Sequence, residues 1–344
     1  MSDLQLLSLE QRRMLVDTRQ LWEAWKANEK RLAGYKGSLS WASLPSGKYL
    51  LKSFVDSKTK IRKARSLGPR SEETERIYEE FKRGRAEAKG AAASIRQRIE
   101  SQARLNLAIG LDRVPELPSR ILRRLDGEGL LGRNVFVAGT NAIYAYEAAA
   151  GVFVQRDLLA TGDLDIFFDS QARLKLTVEG AEPQGVLRVL KATDRSFRPE
   201  GSFRAINDEG YSVDLIKATP TPPWRDEADG IGADDLEAAP ILNMRWVANA
   251  PRFSAVAVGY DGAPVPMACP DPRAFALYKL WMATRDPTRD PVKRVRDQAQ
   301  AEVVAKIVHE HMPQLPFEPE QLTSFPRKVI EAARTRVDSF FGDR

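Results

Sequence analysis

The sequence predicts an α/β (α+β) fold: a mixed sheet, preceded by a basic helical and β-hairpin region and followed by a helical region. Three observations predict it. From about residue 133, short apolar strands alternate with helical stretches and tight turns. Before that point, helical spacing dominates, broken once by a turn-rich stretch. After residue 270, two helical runs open with the same Asp-Pro signal. The 344 residues suffice for about two domains. The divisions expected from sequence are 1–125, 126–218 and 219–344.

The elements follow in order. Ser8 with Gln11 three residues later is a capping box. Met14, Thr18, Leu21, Trp22, Trp25 and Leu32 then recur at helical spacing up to Gly34, with both tryptophans expected in a core. Residues 38–69, punctuated by Pro45, Gly47 and Gly68, read as a small hairpin or meander. A long helix is expected from Glu72 to Leu107, with a possible kink at Gly84 or Gly90. NVFVA (134–138) is a buried strand, Gly139-Thr140 a turn, and NAIYAYEAAAG a helix ended by Gly151. DLDIFF (163–168) is a second strand, and GVLRVLKAT is helical. SFRAIN (202–207) and YSVDLIK (211–217) make a hairpin around Asp208, Glu209 and Gly210. A Pro-, Gly- and acid-rich loop follows (219–240), in which Trp224 is expected to pack. FSAVAVG and APVPMA read as another hairpin. Asp271-Pro272 and Asp290-Pro291 each supply a capping carboxylate and a proline at the first helical position.

Composition narrows the function classes. No apolar run approaches the ~20 residues of a membrane span. The first residues, MSDLQLLSLEQRR, carry no basic stretch ahead of an apolar one, so a secretory signal is not expected and a cytoplasmic protein is. A single cysteine, Cys269, placed beside Pro270 in an expected loop, excludes an internal disulfide and a cysteine-rich zinc site. The two histidines, His309 and His311, lie two apart on a helix and do not face one another. Charge is unevenly placed: residues 1–130 carry a net +10 and the rest a net −4. A basic half beside a mildly acidic half suggests a module that handles polyanions; a solvated helical face is the competing reading.

The chemistry-bearing residues cluster in the middle. Asp163 and Asp165 flank Leu164 on a strand, so both carboxylates share one face. Held together they repel, and a cation between them relieves that. Upstream, the Gly139-Thr140 turn offers a hydroxyl and backbone N–H groups, which suit phosphate. Downstream, Asp214 sits mid-strand in YSVDLI, a costly place for a carboxylate without a partner.

On these residues, VFVAGTNAIYAYEAA, then ATGDLDIFFD, then YSVDLI, the chain resembles nucleotidyltransferases of the DNA polymerase β superfamily. It looks closest to the bacterial branch of minimal nucleotidyltransferases and abortive-infection-type toxins. The resemblance covers about 133–217, and 270–312 more loosely; it does not reach 1–125. It implies a nucleotidyltransferase core in which Gly139, Thr140 and Asn141 hold the triphosphate of an NTP. Asp163, Asp165 and Asp214 would bind Mg²⁺ (or Mn²⁺) and form the catalytic set. Two departures stand out. Thr140 replaces the commoner serine, and 24 residues separate Gly139 from Asp163, the extra length being GVFVQRDLLATG, expected as a loop.

Further candidates lie on the last helices. Lys279 interrupts the apolar run AFALYKLWMA, either snorkelling to solvent or, as in some relatives, meeting nucleotide phosphate; Arg285 is similar. Lys293, Arg296, Asp297 and Gln300 share one helix face, read as solvated; Val292, Val295, Ala299 and Val303 are the stripe expected to be buried. In the N-terminal region, Lys58, Lys60, Arg62, Lys63, Arg65, Arg83 and Arg85 are candidate nucleic-acid contacts. The function expected is therefore Mg²⁺-dependent transfer of a nucleotidyl group from an NTP to a hydroxyl. RNA, with a tRNA 3′ end as one candidate, is the favoured acceptor, and the setting is a toxin under an antitoxin or regulator, or a phage-defence factor. Transfer to a protein or small molecule, and a non-catalytic nucleic-acid-binding role, are the alternatives.

Overall fold

The computed structural model describes residues 4–56, 61–170, 185–222, 224, 229–232 and 235–336. Lys58 and Lys60 lie outside these. A short strand β1 (Leu4–Leu6) leads into helix α1 (Leu9–Gly34). The capping box forms as the sequence predicts: Ser8 Oγ accepts from Gln11 N at 3.1 Å, and Gln11 Oε1 accepts from Ser8 N at 3.0 Å. Strands β2 (Ser38–Leu44), β3 (Gly47–Val55) and β4 (Arg62–Pro69) make an antiparallel meander.

Helix α2 (Glu72–Ala108) packs back along α1 and runs about 55 Å without a break. The helix is continuous through Gly84 and Gly90, and Gly84 answers a packing need: a Cβ there would stand 2.1 Å from the Tyr35 hydroxyl. Trp22 and Trp25 are not core residues. Each is half-buried under a cation, Lys26 over Trp22 and Arg96 over Trp25. The outer faces of the two long helices are left wet at these positions, so aromatic bulk there is capped by cationic side chains.

The base of this helical pair is tied to the rest by buried polar bonds. Asn106 Nδ2 donates to Thr18 Oγ1 at 2.9 Å and to the Gly262 carbonyl at 2.8 Å. After α3 (Glu116–Gly127) comes β5 (Val135–Ala138), a 3₁₀ turn at Thr140–Ala142, and α4 (Ile143–Ala150), ended by Gly151 at φ 67°. The segment expected as a loop is structured: β6 (Val152–Val154) pairs antiparallel with β1, and α5 (Arg156–Leu159) follows. Then come β7 (Asp163–Phe168), α6 (Val186–Thr193), β8 (Arg198–Glu200), β9 (Arg204–Ile206), β10 (Ser212–Ala218) and β11 (Ala239–Ile241).

The central sheet has the order β5-β7-β10-β9-β8, with β11 beside the end of β10. Strand β5 is antiparallel to β7, β7 is parallel to β10, and β9 is antiparallel to β10. The sheet is mixed, and the fold is α+β as predicted. Helix α7 (Met244–Ala248) precedes the hairpin β12 (Arg252–Val258) and β13 (Pro264–Pro270). Cys269 is fully buried within β13 rather than in a loop. Trp224 is exposed rather than packed.

Helices α8 (Pro272–Arg285) and α9 (Pro291–His311) are capped as the Asp-Pro signals predict: Asp271 accepts from Arg273 N and Asp290 from Val292 N, both at 2.8 Å. Helix α10 (Arg327–Arg336) closes the described chain. One apolar cluster runs from Val114 to Ala333 and crosses the boundary at 218 expected from sequence. The sheet and the C-terminal helices share one interior.

Candidate active site

Strand alternation sets the first pair. Asp163 and Asp165 leave β7 on one side, while Leu164 and Ile166 fill the core on the other. The parallel register places Asp214 of β10 directly beside Asp165 of β7. All three carboxylates line one cavity of about 280 Å³, which is also lined by Lys279 of α8, by Arg289 just before α9 and by Lys293 and Arg296 in its first turns. A larger groove, about 560 Å³, runs between α1 and α2, but its lining brings together no such set.

The turn before α4 sits over these carboxylates. Gly139 has φ 62° and ψ −157°, and a Cβ there would lie 2.0 Å from Asp165 Oδ2. Only glycine lets the backbone approach that carboxylate in that conformation. Gly139→Ala is accordingly expected to cost about 2 kcal/mol or more of stability and to lower any transfer activity at least tenfold. Thermal unfolding beside a labelled-nucleotide assay checks both. Thr140 lines the cavity, and its hydroxyl accepts from Gln300 Nε2 at 3.1 Å. Asn141 does not face the cavity: it is buried and donates to the Asp163 carbonyl at 2.9 Å, bracing the start of β7.

Charge pairing is specific. Lys279 is buried and donates to Asp297 Oδ1 at 2.7 Å; Arg289 donates to Asp297 Oδ2 at 2.6 Å. Lys279 therefore does not snorkel. Burial pulls its pKa down, against the opposing pull of Asp297. For Asp297, burial pushes upward, but Lys279 and Arg289 outweigh it and hold the carboxyl below its ordinary value. Arg285 is exposed and lines a different depression, with Trp281 and Lys328; Arg289 is the arginine that reaches the cavity.

The face of α9 meets expectation only in part: Val303 is buried and Lys293 exposed, but the first half of the stripe is turned out. Val292 is 81% exposed and Val295 74%, while Asp297 and Gln300 are fully buried. Ionic and hydrogen-bonded partners on α8 and at Thr140 outweigh the burial of two valines. Gln300 also donates to the Leu158 carbonyl at 2.7 Å, and Arg296 to that of Ala160, so α9 holds the inserted segment against the cavity. The Arg296 Nε is buried without a hydrogen-bond partner.

The carboxylates have environments of their own. Asp165 is pushed up to about 6, first by burial, then by Asp163, with Asp214 adding to it against Lys279. The Thr161 hydroxyl donates to Asp163. Arg204, across the hairpin on β9, donates to Asp214 Oδ1 at 2.6 Å and Oδ2 at 2.7 Å. Among the described residues no three acidic or soft ligands form a ready-made cage. The donors still fit a hard divalent cation: all are carboxylate oxygens, and the repulsion that raises Asp165 is what such a cation removes.

Residues 117–323, more than half of the chain, match the model of a family described as Nucleotidyltransferase. The chain belongs to this nucleotidyltransferase family. No curated protein and no solved structure matches it. The matched span of this nucleotidyltransferase runs from α3 to just beyond α9 and contains every residue of the cavity. It leaves out α1, the meander and α2. No helix among the described residues is long and apolar enough to cross a membrane.

Proposed function

We propose that this nucleotidyltransferase moves a nucleotidyl group from an NTP to a hydroxyl of RNA, using Mg²⁺ or Mn²⁺. One observation carries the reading: three carboxylates and five cations, Arg204, Lys279, Arg289, Lys293 and Arg296, line one cavity together with the Gly139-Thr140 turn. Polyphosphate needs such cations. Asp163, Asp165 and Asp214 would hold the divalent cation, which neutralises phosphate charge and lowers the acceptor's pKa.

In the transfer itself, the acceptor oxygen forms a bond to the α-phosphorus. The bond from that phosphorus to the bridging oxygen breaks, and pyrophosphate leaves. The hydroxyl proton passes to Asp214. Thr140, Lys279 and Arg289 orient the phosphates, and Arg296, with its unpartnered Nε, adds a donor on the same side. Arg289 and Arg296 thereby take the place given above to Arg285 and Asn141.

The RNA acceptor rests on the N-terminal arm. Arg62, Arg65 and Arg83 are exposed along the meander and α2; Arg85 is half-buried, and Lys63 is paired with Asp56 at 2.7 Å. A long arm of positive charge raises affinity and on-rate for a phosphate chain. A toxin or defence role under a regulator's control fits an enzyme that modifies RNA. The test is incubation of the full chain with each NTP labelled at the α-phosphate, Mg²⁺ and total cellular RNA and protein. Label in RNA, with tRNA affinity falling steeply between low and physiological salt, is expected. Label confined to protein, with salt-independent tRNA binding, would move the acceptor to protein.

A further inference from the structure

Asp214 is already paired with a cation. Both its oxygens are taken by the Arg204 guanidinium, at 2.6 and 2.7 Å, in the fork-to-fork geometry that makes such pairs strong. The pair is built in by the backbone, since the antiparallel register sets Arg204 opposite Asp214. Asp214 is largely buried, so without Arg204 its charge would stand uncompensated beside Asp165. Arg204 is different: its side chain is 37% exposed, and it lines the open cavity. It also has another partner in place. Its Nη1 lies 3.8 Å from Glu200, four residues back on β8, and its guanidinium sits over the Phe203 ring. Asp214 has a fixed position, whereas Arg204 has two anions between which to divide.

We propose that Arg204 is a resident counter-cation for the catalytic carboxylates, one that competes with the divalent ion for Asp214 and turns toward Glu200 as the ion takes it. This rests on the metal-dependent reading above. Arg204 fills one lone-pair direction on each Asp214 oxygen, so an ion that draws either oxygen toward Asp165 loosens the pair, and its affinity is lowered by the part of the pair it displaces. The gain is that the three-aspartate site does not carry unbalanced charge when the ion is away.

The experiment is a Mn²⁺ titration of the full chain without nucleotide, read by loss of the free-ion paramagnetic resonance signal. Arg204→Gln removes the competitor and is expected to tighten Mn²⁺ about tenfold. Arg204→Lys, which keeps the charge but cannot bond both oxygens, is expected to fall between. It also covers the case in which the Gln variant does not fold. Adding Asp214→Asn to Arg204→Gln should erase the gain, because the released carboxylate is its source. Lys293→Gln, which removes an exposed cation from the same cavity, should change affinity less than twofold.

Unchanged or weaker binding in both Arg204 variants overturns the proposal. So does an equal gain in Lys293→Gln, which would mark a general field effect. These outcomes leave the metal-dependent reading standing as long as the parent binds Mn²⁺. If neither the parent nor any variant binds Mn²⁺, that reading falls, and the competition with it.

Discussion

Asp165→Asn is expected to abolish transfer while making the ligand-free protein more stable. The Asp165 carboxyl is half-buried at the cavity, and its pKa rises from the ordinary 3.8 to about 6 through burial and the neighbouring Asp163 and Asp214. Below pH ~4 the group is protonated in both folded and unfolded chains and has no differential effect. Between about 4 and 6 the unfolded chain ionises first, so stability falls as pH rises. Above 6 the folded protein carries the full penalty, on the order of 3 kcal/mol. The amide variant escapes it. The melting-temperature gap between Asp165→Asn and parent should thus be near zero at pH 4, grow to pH 6 and then level off. Millimolar Mg²⁺ or Mn²⁺ should narrow the gap at pH 7 by stabilising only the parent. Transfer should drop by at least about 10²–10³, as when a fixed group that stabilises developing charge is removed. A variant that melts well below the parent at pH 7 would make Asp165 a structural residue.

The strands of the central sheet were legible because each is short, apolar and bounded by Gly or charged residues; DLDIFF coincides with β7 residue for residue. The caps of α1, α8 and α9 were legible too, since a cap is a local event. What the pattern could not convey is which side of a mixed helix meets a charged neighbour. Helix α9 carries valines on one side and Asp297 and Gln300 on the other, and periodicity alone favours burying the valines. The outcome depended on Lys279, eighteen residues away in sequence and enclosed on α8.

The same limit explains Arg285 and Asn141, which have the right chemistry and neighbourhood in sequence but point elsewhere. Arg204 was within reach. A hairpin turning about Glu209 pairs residues whose numbers lie equally far on either side, and Arg204 and Asp214 are each five away. The question the sequence raised about Asp214, a carboxylate in need of a partner, had its answer in that register.

Asp297→Asn is the substitution expected to damage the fold most. Asp297 is fully enclosed and binds Lys279 through one oxygen and Arg289 through the other. The amide keeps the shape but removes the charge. Lys279, itself buried and already pulled toward the neutral form, is left with no adjacent anion except Asp165 across the cavity. Breaking one partner of such an enclosed pair costs about 3–5 kcal/mol, far more than the pair contributes relative to an apolar replacement. For a folding unit the size of the matched region this is a drop of about 10 °C in melting temperature. Replacing both enclosed partners, Lys279→Met with Asp297→Leu, should recover much of that loss, because the fully enclosed Lys279 charge goes with its partner and only Arg289, whose side chain is partly exposed, is left to turn toward solvent. Function should not recover with it. Lys279 lines the cavity beside Arg289, and the double variant should bind nucleotide triphosphate at least tenfold more weakly although it is folded. Melting curves of the two single variants and the double variant, with equilibrium binding of an NTP in Ca²⁺, separate these effects. A double variant no more stable than Asp297→Asn would mean that the loss comes from packing around α9 and not from the stranded charge.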